Sequence, residues 1–240
     1  MLASPLEHSI LKRAREEGLL DVRAVDIRDY TTDRNRQADD SPYGGGPGMV
    51  MKPEPIFAAV EALAAEPPPP DRVVLLTPRG RRFDQSVARE LSLYQRLILI
   101  CGRYEGVDER VHQHLATDRI SLGDFVLTGG ELAALAVADA VARLRPGVLG
   151  KDESSDSESF TEPLLEYPHY TRPAEFRGWG TPEVLLSGNH GAVDRWRREQ
   201  SLRETLRLRP DLFRTHRLTE EDLKLLGLTP PRKRRRRSGP

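Results

Sequence analysis

The sequence predicts an α/β domain followed by a smaller, mostly helical and basic one. Val73-Val74-Leu75-Leu76 and Leu97-Ile98-Leu99-Ile100 are short apolar runs bounded by polar turns, as expected of strands buried on both faces of a parallel sheet. Helical patterns alternate with them, over Asp84 to Leu93, Asp108 to Leu115 and Glu131 to Leu144. From Lys151 to Glu166 the texture changes to six acidic residues and four serines with no core periodicity, which reads as a flexible acidic linker.

The elements follow in order. Ser4-Pro5-Leu6-Glu7 reads as a capping box with proline at the first helical position, and Gly18 as the stop. Pro55 to Ala65 is a second helix, closed by prolines 67 to 70 as a stiff extended spacer. The pattern from Glu131 to Leu144 is apolar on most sides. Beyond the linker, Asn189 caps a long helix through Leu208. Val193, Trp196, Leu202 and Leu206 form its buried stripe, with Arg195, Arg197, Arg198, Arg203, Arg207 and Arg209 around it. The domains expected are therefore 1–150, a linker over 151–166, a helical domain over 167–226 and a disordered basic tail over 227–240.

Over 240 residues, 37 basic and 37 acidic side chains cancel, but not evenly. Ser187 to Pro240 holds 15 basic against 7 acidic residues, so it carries about +8 and the remainder about −8. A basic C-terminal part fits a polyanion partner, although composition alone accommodates a solvated surface equally well. Leu132 to Val141, the longest mostly apolar stretch, contains Asp139 and is too short to span a membrane. The opening Met1-Leu2-Ala3-Ser4-Pro5 lacks the basic head and apolar run of a secretory signal. The single cysteine, Cys101, excludes an internal disulfide and a Cys-based zinc cluster. A cytoplasmic protein without a membrane partner is expected.

Three loops follow the strands, where ligands bind in open α/β sheets. They are 77–80, 101–106 and 121–130, each with glycines that let backbone approach a ligand closely. Each alone is an ordinary turn; together they point to one shared cleft. Tyr43-Gly44-Gly45-Gly46-Pro47-Gly48-Met49 is not a phosphate loop, because no Lys-Ser/Thr follows it. No G-x-G-x-x-G opens a helix and no serine elbow occurs. The histidines are scattered, and His112 and His114, two apart on a helix, make a poor metal pair and read as surface residues.

Several strings recur as a set: Pro42 to Met49, Cys101 to Arg110, Ser121 to Leu127, Gly129-Gly130-Glu131-Leu132, Pro146 to Gly150, Pro168-His169-Tyr170-Thr171-Arg172-Pro173, and Leu185 to His190. In this order and spacing the chain closely resembles the bacterial tRNA (guanine-37-N1)-methyltransferases, from about Leu6 to Leu226. The resemblance implies a trefoil-knot (SPOUT) fold for the N-terminal domain, a homodimer, and S-adenosylmethionine as methyl donor. Its partner would be the anticodon stem-loop of tRNA. Carried over by position, Pro78, Gly102, Glu105, Leu122, Gly123, Asp124, Phe125, Val126, Leu127 and Gly129 would line the donor cleft. Magnesium (Mg2+) is implied as an added ion, for which the sequence shows no dedicated cage.

Methylating guanine N1 requires a base for its proton and a cation for the charge moving to O6. The resemblance assigns the cation to Arg143 and the base to Glu158, where the family usually has Asp; Asp156, two residues earlier, is the alternative. Taken alone, Glu158 is a solvated acid and Arg143 a helix-end cation. Basic residues of the C-terminal helix, Arg195 and Arg198 among them, would hold tRNA phosphates. Relatives begin with about ten more residues holding a first strand, about two strand lengths at most, so a start assigned too late is expected here. A catalytically silent tRNA-binding protein and another knotted RNA methyltransferase are the alternatives.

Overall fold

The chain folds as two units, Met1–Asp152 and Glu153–Pro240, in the computed structural model, which describes residues 3–149, 159–160 and 162–228. The first unit opens with α1 (Ala3–Leu6) and α2 (Ser9–Glu16). A two-residue pair follows, β1 (Asp39–Asp40) antiparallel to β2 (Val50–Met51), and then α3 (Pro53–Ala64). The expected alternation comes next: β3 (Arg72–Arg82), α4 (Gln85–Ser92), β4 (Leu97–Cys101), α5 (Glu109–His114), β5 (Asp118–Ser121) and α6 (Glu131–Ala142). The three long strands form a parallel sheet in the order β4-β3-β5.

The central strand is buried on both faces, and its side chains alternate between two cores. Val74 and Leu76 pack with Val87 and Leu91 of α4 and Ala133 and Val137 of α6. Val73 and Leu75 pack with Ile56 and Val60 of α3 and Val111 of α5. This is the two-residue period of a strand feeding a helix layer on either side. Burying each such side chain contributes about 1.5–3 kcal/mol. Asp84 starts α4 by accepting hydrogen bonds from the Ser86 and Val87 amides at 2.9 and 3.0 Å.

Local departures have local causes. The N-terminal helix breaks after one turn: His8 is extended and Ser9 has φ +56°. Leu6 and Leu11 both bury against Ala142. On an unbroken helix they would point about 140° apart, so the break brings both to one surface. The second helix starts at Pro53, two residues early, with both prolines in a first turn that needs no amide donors. Prolines 67 to 70 do not form a straight spacer. The Pro67–Pro68 bond is cis, and Arg96 gathers the segment by donating to the carbonyls of Leu63, Glu66 and Pro68. His112 is buried rather than at the surface, and burial pushes its imidazole below its ordinary pKa.

The second unit contains a short hairpin, β6 (Glu175–Phe176) and β7 (Trp179–Gly180). Its helices are α7 (Glu183–Leu186), α8 (His190–Leu208), α9 (Pro210–Thr215) and α10 (Glu220–Leu225). Asn189 caps α8 as expected, its side chain accepting from the Ala192 amide at 3.1 Å. The buried stripe of α8 is different: Leu202 is buried with Ser201 and Thr205, while Leu206 is 49% exposed. Residues 162–165 cover that side, with Leu164 buried, Leu165 donating to the Thr205 hydroxyl at 2.8 Å, and Ser201 donating to the Leu165 carbonyl. Hydroxyls are therefore buried because an extended segment supplies their partners.

Gly80 is the tightest point of the sheet: a Cβ there would lie 2.4 Å from the Ile120 nitrogen and 2.5 Å from the Arg119 carbonyl carbon. We expect Gly80→Ala to cost about 2 kcal/mol or more in urea unfolding followed by circular dichroism. Gly191→Ala, whose added carbon would meet nothing closer than 3.8 Å, should be neutral or stabilising. Equal midpoints for the two variants would refute the steric account.

Candidate active site

The sheet register builds the site. Leu76 of β3 pairs with Cys101 of β4 and with Ile120 of β5, so β4 and β5 reach their carboxyl ends at one level, while β3 runs on to Arg82. The loops 102–106 and 121–130 leave from that edge, whereas 77–80, expected as a loop, lie inside β3 because the strand continues through an irregularity to Arg82. Strand β3 itself steps out of register there, since Leu76 and Arg81 both pair with Ile120. Residues 77–80 thus form an irregular stretch of β3 that carries exposed Pro78.

Backbone contacts tie the loops together. The Gly130 amide donates to the Gly102 carbonyl at 2.8 Å, and Arg103 bridges to Gly129. Arg103 also donates from Nε to Glu131 Oε1 at 2.8 Å. A Cβ at Gly130 would lie 2.8 Å from Cys101 Cα, so only glycine lets these chains touch. A fourth segment joins them: the Met51 amide donates to the Gly106 carbonyl at 2.9 Å and the Glu105 amide to the Met49 carbonyl at 3.1 Å. Gly48, at φ +78°, lies under the Glu105 side chain, where a Cβ would be 2.5 Å from Oε1. Sequence reasoning gave no site role to Met51 or the Arg103–Glu131 pair. The glycine cluster at 44–48 was the available signal.

Gly102, Glu105, Leu122, Gly123, Asp124, Phe125, Val126, Leu127 and Gly129 lie on the loops that follow β4 and β5, and Pro78 lies in the irregular stretch of β3. Phe125 and Val126 are 55% and 85% exposed, and Leu122 packs on the core below. An apolar rim with the carboxylates Glu105 and Asp124 suits a ligand with an apolar body and cationic groups, as S-adenosylmethionine is. No basic cradle for phosphate is formed by these residues. Cys101 beneath them is no nucleophile: burial, reinforced by the Glu131 charge, pushes its thiol up to about 12.

Arg143 occupies the opposite end of α6, as its C-cap. Thirteen residues of helix separate it from Gly130, about 20 Å of rise, further than an arginine side chain reaches. Glu158 and Asp156 lie outside the described residues, as does the basic tail from 229. Among the described residues no group of His, Cys, Asp and Glu converges as a metal site, and no helix is long and apolar enough to cross a membrane.

Comparison with known proteins decides the family. A family model described as tRNA (guanine-1)-methyltransferase TrmD matches residues 1–215. The chain is 60% identical over 226 residues to the tRNA (guanine-N(1)-)-methyltransferase of Dehalococcoides mccartyi strain 195, covering 94% of this chain and 91% of the relative. It is 57% identical to the protein of that name from Geobacter metallireducens, covering 94% and 92%, and 56% identical to that of Geobacter sulfurreducens, covering 95% and 93%. The chain belongs to the tRNA (guanine-1)-methyltransferase family.

One expectation for this family member is corrected by the second unit. Arg198 is not free to hold RNA phosphate. Its Nε donates to Asp222 Oδ1 at 2.7 Å, its Nη2 to Oδ2 at 3.1 Å, and its Nη1 to Glu162 Oε2 at 2.9 Å. Asp222 is 1% exposed and also closes a capping box with Thr219 at the start of α10. Burial by itself would raise its carboxyl pKa, but Arg198 and Thr219 outweigh that and hold it well below the usual range. Arg198 therefore joins α8, α10 and residue 162 structurally. Arg195 is exposed and makes no ion pair among the described residues.

Both tryptophans, Trp179 and Trp196, lie in this unit, so their fluorescence reports its unfolding. Arg198→Ala should lower that stability by about 3 kcal/mol, since it strands a buried carboxylate. Because the folded pKa of Asp222 is depressed, its contribution is complete above the unfolded value of about 4 and is lost as pH falls below it. A wild-type unit whose stability stays flat from pH 5 to about 2.5 would contradict this.

Proposed function

We propose that this chain methylates N1 of guanine 37, the nucleotide 3′ of the tRNA anticodon, with Arg143 and Glu158 as its catalytic residues. Guanine N1 methylation in tRNA, with S-adenosylmethionine as donor, is the activity of its family. The observation that carries the site is the pairing of Leu76 with both Cys101 and Ile120, the level at which β4 and β5 end. Pro78, Gly102, Gly129 and residues 122–127 would hold the donor, with Glu105 and Asp124 facing its cationic end. When bound, the donor would supply an electrophilic methyl group, its carbon–sulfur bond breaking to leave a neutral thioether. Glu158 would take the N1 proton and Arg143 would stabilise the negative charge on O6.

A homodimer belongs to this reading. Arg143 lies a helix length from its own chain's donor loops, and exposed Phe125, Val126 and Leu132 form an apolar border beside them. A second copy packed on that border would supply the distant arginine and bury the patch. The same reading gives the N-terminal domain the trefoil-knot fold. The part of the expected 151–166 linker that holds Glu158 would close over the bound guanine, which leaves its stack to reach the donor. The location follows the substrate, tRNA in the cytoplasm.

The test is transfer of labelled methyl to an unmodified tRNA transcript with guanines at positions 36 and 37. Product is expected, and replacing guanine 37 should abolish it; a silent wild-type enzyme would refute the assignment. Glu158→Gln should slow single-turnover transfer by about 100-fold or more, with Asp156→Asn near normal. The reverse pattern would move the base to Asp156.

A further inference from the structure

We propose that a recess on the second unit, between the 167–170 segment and α8, holds the base of one unpaired nucleotide of the RNA substrate. This rests on tRNA being the substrate and adds a subsite within the second unit. The recess has a volume of about 170 Å³ and is lined by Tyr167, His169, Tyr170, Leu185, Trp196 and Arg197. Four of these residues carry aromatic rings. Tyr167 and His169 have ring centroids 4.7 Å apart, and Tyr170 and Trp196 6.3 Å apart. The Arg197 guanidinium lies over the Tyr167 ring, 4.9 Å from its centroid.

One polar group in the lining lacks a partner. Arg197 Nε is buried and makes no hydrogen bond among the described residues. Asp194, 3.7 Å from Nη1, engages the other end of the guanidinium. A buried N–H without an acceptor is costly, and a bound acceptor would relieve it. A nucleobase meets both demands: its faces stack on aromatic rings, and its edge carries carbonyl oxygens and ring nitrogens that accept from Nε. A phosphate alone would satisfy the guanidinium but leave the aromatic walls unused. The base must be unpaired, because a duplex presents its bases edge-on with their faces covered. Arg172, Arg177 and Arg195, all exposed on the same unit, give the surface the positive charge that an RNA backbone needs.

The test uses the full chain in a Trp179→Phe background, which leaves Trp196 as the sole tryptophan. Titration with an anticodon stem-loop should quench Trp196, whereas a fully paired RNA duplex of equal length and S-adenosylmethionine should not. Tyr170→Ala, at a ring already 50% exposed, and Arg197→Lys, which keeps the charge but removes Nε, should each weaken stem-loop binding by at least about fivefold. Duplex binding should be unchanged. Equal losses on both RNAs, no loss on either, or quenching by S-adenosylmethionine alone would overturn the subsite. If the wild type methylates tRNA while both variants bind the stem-loop normally, the subsite fails and the methyltransferase reading stands. If it neither binds nor methylates, both fail.

Discussion

The parallel pairing that ends β4 and β5 level with Leu76 of β3 is the constraint on which the first unit depends. Leu76, Cys101 and Ile120 share that level because Val73 to Leu76 fill two cores at once, and a slip of one residue would exchange every side chain between them. The register is therefore held by the helices on both faces. The loops inherit their positions from it. The contacts of Gly130 with Gly102 and of Gly106 with Met51 are only possible when the strand ends coincide.

Glycine works in this site by close approach as well as by positive φ. At Gly80, Gly130 and Gly48 an added carbon would strike backbone or the Glu105 side chain. The cleft is made of chains packed against chains, with apolar side chains and two carboxylates at its border. Such a surface suits an adenosine carrying a sulfonium and an ammonium group, a ligand with no phosphate for a lysine-bearing loop to hold.

The second unit solves a different problem with little apolar material. Its long helix is basic along most of its length, yet Arg198 is spent on Asp222 and Glu162, and Ser201 and Thr205 are buried against residues 164–165. Charge counted along the sequence therefore overstates what is available to RNA. Arg195, together with the aromatic recess beside Arg197, remains on the accessible side.

The strands at 73–76 and 97–100, the helix cap at Asn189 and the loops after β4 and β5 were legible in the sequence because each depends on local pattern: apolar runs, a capping oxygen, glycines after a strand. Family membership was legible too, since it rests on ordered strings that no folding is needed to read. The break at Ser9, the burial of His112, the joining of Met51 to the site and the internal use of Arg198 were not. Each depends on a partner far away in sequence, Ala142 for Leu6 and Leu11, Gly106 for Met51, Asp222 for Arg198. Residue type fixes what a side chain is able to do; only the tertiary structure decides which neighbour it meets, and burial then sets how strongly they interact.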